Sequence, residues 1–132
     1  MEESVKKILL FLFFILNSKI LADDPKGPDL LLFQGAALGQ PNYVIKALTS
    51  GADVNFQDSC GETALMTALR AINKELFYFR PISNLKEIIK SLIAHGAKTA
   101  LVNNAGLKAR DFMPKAPGFY TEISELIPRS SV

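Results

Sequence analysis

Asp58-Ser59-Cys60-Gly61-Glu62-Thr63-Ala64-Leu65-Met66-Thr67-Ala68 reads as a turn that hands the chain into a capped helix. Asp58, Ser59 and Gly61 are turn formers, each for its own backbone reason. Thr63 can accept an amide hydrogen bond at the start of a helix beginning at Ala64. The small side chains of Ala64, Ala68 and Ala71 let neighbouring helices approach closely, and they avoid the cost of about 1 kcal/mol that glycine carries in a helix. This helix is expected to run toward Phe79, until Pro81 stops it.

On either side, the same units return. Gly51-Ala52 recurs as Gly96-Ala97, and each pair is followed ten residues on by another glycine, Gly61 and Gly106. Leu32-Phe33-Gln34-Gly35-Ala36 aligns with Leu65 to Leu69 at an offset of 33, and Tyr43-Val44 with Ile88-Ile89 at an offset of 45. The difference of 12 places an insertion at about Ala71 to Ser83. Upstream, Asp29 is expected to cap a helix that ends at Gly39, and Pro41 to open the next. Val44, Ala47 and Leu48 share a face of that second helix, which Gly51 terminates. Downstream, Asn84 and Glu87 resemble a capping pair for Leu85 to His95, whose Leu85, Ile88, Ile89, Leu92 and Ile93 form an apolar stripe. Tyr120, Ile123, Leu126 and Ile127 are spaced as one closing face.

Two spaced patterns carry a family resemblance. Asp58 to Ala68 and Val44 to Asn55 resemble the turn-and-helix signature and the second-helix ending of ankyrin repeats, and the match continues in Ile88 to Lys98 and Asn104 to Asp111. It covers about residues 29 to 113. Ala64 stands where that family usually has proline, and Met66 where it usually has histidine. The first unit lacks the turn signature, and the third has Lys108 and Arg110 in place of threonine and leucine. Outer repeats of a stack are expected to be atypical. The resemblance implies an all-α fold, a short ankyrin-repeat solenoid of paired antiparallel helices with β-turn tips. Its repeats would span about 29–57, 58–102 with the twelve-residue insertion, and a partial 103–128, within a domain at 23–132.

The residues ahead of that domain read differently. Lys6 and Lys7 precede nine consecutive apolar residues, Ile8 to Leu16, and a short stretch ending at Ala22. A charged start, an apolar run and a small-residue endpoint are the layout of a signal peptide at 1–22. The run is under half of the roughly 20 apolar residues a spanning helix needs. Three readings stay open: a cleaved signal, an uncleaved membrane anchor through residues 8–16, and a cytoplasmic capping helix. The first points to a periplasmic or secreted protein, and membrane contact is expected only if the segment stays attached.

Composition bounds the function. The 132 residues suit one domain, and 48% hydrophobic with 21% charged residues suits a folded one. A net charge of +2, with Lys and Arg scattered, gives no basic stripe for nucleic acid. One cysteine, Cys60, and one histidine, His95, supply a metal site poorly. His95 sits in a last helical turn, where an imidazole caps carbonyls. Cys60 has no Lys or Arg near it in sequence to activate a thiolate, and is read as a surface residue or an intermolecular contact. Asp53 and Asp58 are explained by turns, and Gly35 and Gly39 lie in and just after an apolar helix rather than in a phosphate loop. No catalytic residue and no cofactor are expected.

The remaining candidates are contact residues. Repeat stacks bind through turn tips, which places Asn55, Gln57, Asp58, Ser59, Cys60, Asn103 and Asn104 at a partner surface. Inside the insertion, Phe77-Tyr78-Phe79-Arg80 cannot all face one helical stripe, so at least one ring is expected outside. These are residue types that anchor interfaces. Three alternatives are open for them: they extend the core, bind a partner, or mediate self-association. The expected function is an exported, non-catalytic protein-protein interaction module. Its rivals are an inhibitory or accessory subunit covering a partner enzyme, and a membrane-tethered structural protein.

Overall fold

A computed structural model describes residues 2–10 and 27–128. Five α-helices make up the domain: α1 (Pro28–Leu38), α2 (Pro41–Thr49), α3 (Ala64–Phe77), α4 (Ser83–Ala94) and α5 (Pro117–Leu126), with a 3-10 turn at Ala109–Phe112. Residues 2–10 are also helical. No strand occurs among the described residues, and the expected all-α class is the class observed.

Proline opens α1, α2 and α5, where its missing N–H costs nothing. Thr63 opens α3 as expected, its hydroxyl oxygen accepting from the Met66 amide at 3.3 Å. Two expected caps are not used. Asp29 lies inside the first turn of α1, and its Oδ1 accepts instead from the Asp53 amide at 2.8 Å, tying the two ends of the first unit together. Asn84 and Glu87 do not cap α4, because the helix starts two residues before the expected Leu85, at Ser83 after Ile82. Glu87 pairs with Lys90 at 3.4 Å.

The helices pack in two rows. One row is α1 against α3 against the 3-10 turn, and the other is α2 against α4 against α5. Within each pair a short connection folds the second helix back on the first. Gly35 permits the closest approach, since a Cβ there would meet Val44 Cγ2 at 2.8 Å. Between the rows lie Leu32, Val44, Leu65, Met66, Leu69, Ile72, Ile88, Ile89 and Leu92, all buried, with Ile123 and Ile127 closing the far end. Tyr120, expected on that closing face, is exposed. Helix α5 buries Ile123, Leu126 is half-buried at its end, and Ile127 is buried just past it, while Tyr120 in its first half turns to the other side.

Four helices end alike. The amides of Gln40, Ala52, Arg80 and Ala97 each bond the carbonyl five residues back, those of Gly35, Ala47, Glu75 and Leu92, at 2.8–3.0 Å. Such an ending puts the intervening residue in the left-handed region. That residue is glycine at 39, 51 and 96, and Phe79 after α3, with φ of 54°.

The insertion is not a simple loop. Helix α3 absorbs its first half by running to Phe77, two residues short of the expected end, and the remainder turns sharply through Tyr78 to Ile82. At the N-terminus, Val5, Ile8, Leu9 and Leu10 are exposed. The rest of the apolar run and the expected cleavage point at Ala22 lie outside the described residues. No helix among the described residues is long and apolar enough to cross a membrane.

Candidate functional site

The two sets of candidate contact residues stand at opposite ends of α3. Its 14 residues separate the turn tips beside Thr63 from the aromatic cluster at Phe77 by about 20 Å at 1.5 Å per residue.

At the first end, most of the tip residues are engaged with one another. Asp58 Oδ1 accepts from the amides of Cys60 and Glu62, both at 2.9 Å, which fixes the first tip. Asn103 is a correction to the expected contact surface: it is only 7% exposed, and its Oδ1 accepts from the amides of Ala105 and Leu107. Asn104 bridges the two tips, its Nδ2 donating to the Ser59 carbonyl and its amide to the Cys60 carbonyl, each at 2.9 Å. Gln57 Nε2 donates to the carbonyls of Gly61 and Val102, while Asn55 accepts from the Lys98 amide and donates to the Gly96 carbonyl.

Asn55, Gln57 and Asn104 are thus braces between successive units. Each spends its side-chain amide on backbone groups of a neighbouring segment, although Gln57 and Asn104 are exposed. Ser59 and Cys60 remain exposed at the tip. Beside them is an open concavity of about 400 Å³, lined in part by Glu62, Arg70 and Asn104. Arg70 is already committed there, paired with Glu62 and lying over the Phe112 ring at 4.7 Å.

At the other end the residues face water. Phe77 is 76% exposed, Tyr78 54% and Phe79 97%. The reading in which these rings extend the core is overturned. Helix α3 turns its Leu69 and Ile72 face inward and ends with Phe77 and Tyr78 exposed, and the left-handed turn at Phe79 leads the chain back to the buried Ile82 and α4. The rings still hold one another. Phe77 and Tyr78 meet edge to face at 5.1 Å, and the Arg80 guanidinium lies over Tyr78 at 5.2 Å. Arg80 also reaches Glu75 at 3.7 Å. The result is an exposed aromatic spur whose side chains contact one another.

Next to the spur is a groove of about 300 Å³ between α1, α3 and α4, bordered by Leu38, Glu75, Arg80, Pro81 and Leu85 among others. Leu38, at 66% exposure, was not among the sequence candidates. It falls one turn beyond the buried Leu32, Gly35 and Ala36 and just before Gly39, and such a terminal leucine reads as the end of an apolar face.

His95 Nδ1 lies 2.7 Å from the Ser91 carbonyl, in the helix-end position expected of it. No group of three or more metal-ligating side chains occurs among the described residues. No family model matches the chain, and no curated protein matches it.

Proposed function

We propose that this chain is an exported, non-catalytic protein-protein interaction module of the ankyrin-repeat kind, and that the aromatic spur Phe77-Tyr78-Phe79-Arg80 is its binding surface. The two rows of helices, the shared helix endings and the turn tips braced by Asn55, Gln57 and Asn104 support the repeat reading. In a stack of that kind each unit buries its apolar face on the next, and insertions project where contacts with partners are made.

The observation that carries the functional reading is Phe79. A phenylalanine 97% exposed and held at positive φ contributes little packing and carries backbone strain of about 1–2 kcal/mol. Both terms work against keeping it for stability. An aromatic displayed at a fixed position, with a guanidinium beside it, is instead what an interface anchor requires.

Affinity capture with the full chain tests the reading, comparing the natural sequence with Phe79→Asp and Cys60→Ser. Aspartate tolerates the left-handed conformation, so Phe79→Asp should fold as the parent does. Proteins retained by the parent and by Cys60→Ser, and absent with Phe79→Asp, are the expected result. A set of partners unaffected by Phe79→Asp but lost with Cys60→Ser would move the surface to the turn tips.

A further inference from the structure

We infer that the occupant of the spur is a second copy of this chain, packed about a twofold axis, an inference that rests on the spur being the interaction surface. The area comes first. With about 150–250 Å² per aromatic side chain, the exposures of Phe77, Tyr78 and Phe79 leave on the order of 450 Å² of ring surface open. Leu38 stands exposed on the border of the adjoining groove and enlarges the apolar patch. A standard interface covers about 800 Å² on each partner. Packing this patch on its own copy would bury on the order of 900 Å² in total, the size of a weak, concentration-dependent association.

Complementarity comes second. A twofold interface requires one surface to carry both halves of every contact. This surface does: the spur projects, and the groove of about 300 Å³ recedes immediately beside it. The charges are arranged in the same way. Arg80 is exposed and held only loosely by Glu75 at 3.7 Å, so both members can exchange to the partner copy and form two equivalent Arg80–Glu75 pairs across the axis. Tyr78 and Phe77, in edge-to-face contact with each other, present adjoining ring surface to the partner's rings.

Because the sequence has no tryptophan, Phe79→Trp in the full chain provides a single emitter at the spur tip. Its emission is expected to shift to the blue as protein concentration rises, in step with a monomer-to-dimer transition by sedimentation velocity. Adding Arg80→Glu should weaken the dimer at least about 10-fold, and Glu75→Lys with Arg80→Glu should restore it. In the natural background, Phe79→Asp should weaken dimerisation about 30-fold or more, as loss of a central anchor does.

A monomer at every concentration would overturn the inference, as would a dimer that Phe79→Asp leaves intact. So would an emission shift seen only after adding phosphatidylglycerol vesicles, which would assign the rings to a lipid surface. If the chain is monomeric while capture of a different protein still depends on Phe79, the second-copy inference fails and the interaction reading stands.

Discussion

Phe79 and Gly96 occupy the same place in two helix endings, and they differ in whether a side chain is present at a positive φ. Gly96 has φ of 89° and open space around its Cβ position, so Gly96→Val is penalised by backbone strain alone. A loss of more than about 1 kcal/mol is expected in urea unfolding. Gly61 combines φ of 74° with a second obstacle, because a Cβ would lie 2.8 Å from Asn104 Oδ1. Gly61→Ala should therefore be destabilising through strain and through displacement of the tip brace together. Phe79→Gly works in the opposite direction: it removes strain and sacrifices almost no packing, so stability should hold or rise by about 1 kcal/mol. A clear loss of stability in Phe79→Gly would show that the ring is needed by the fold.

At the scale of elements, the starts and stops of helices were readable where one side chain or ring governs the outcome. Pro41 and Thr63 begin helices where the sequence placed them, and Gly39, Gly51 and Gly96 follow helix ends. Expectations failed where several residues compete for one role. Asn84 has a capping side chain, yet α4 begins at Ser83, so Asn84→Ala is expected to leave stability within about 0.5 kcal/mol. Thr63→Ala should cost about 1 kcal/mol or more, since a buried helix amide loses its acceptor. Similar stability changes in the two variants by thermal unfolding would contradict this assignment. The candidate site was legible in part. The run Phe77 to Phe79 showed that some ring must face outward; Phe77 and Tyr78 stand exposed at the end of α3, before the left-handed residue, and the exposure of Phe79 accompanies a conformation its type disfavours. Likewise, Asn103 and Asn104 looked like free polar tips, because the carbonyls and amides that engage them lie far away in sequence or depend on the turn closing.

In the whole molecule an apolar leading run, Ile8 to Leu16 in the sequence, precedes a domain of two helical rows. Reading the leader as an export signal predicts a mature chain that begins at Asp23, and Leu12→Asp with Phe13→Asp should block export by interrupting the apolar run. N-terminal sequencing of the exported form checks this, and a chain found only in the cytosol with its start intact would contradict it. Within the stack, stability is expected to reside between the two rows of helices. Leu69→Ala, at a fully buried position, should lose about 2–5 kcal/mol. The turn tips brace successive units, and the spur lies beyond both. Equilibrium urea unfolding of the full chain carrying Tyr78→Ala and Phe79→Ala shows whether the spur is separate from the fold. An unfolding free energy within about 0.5 kcal/mol of the parent is expected, because Phe79 is almost fully exposed and Tyr78 about half; a loss of several kcal/mol would mean that they belong to the core and are not free to bind.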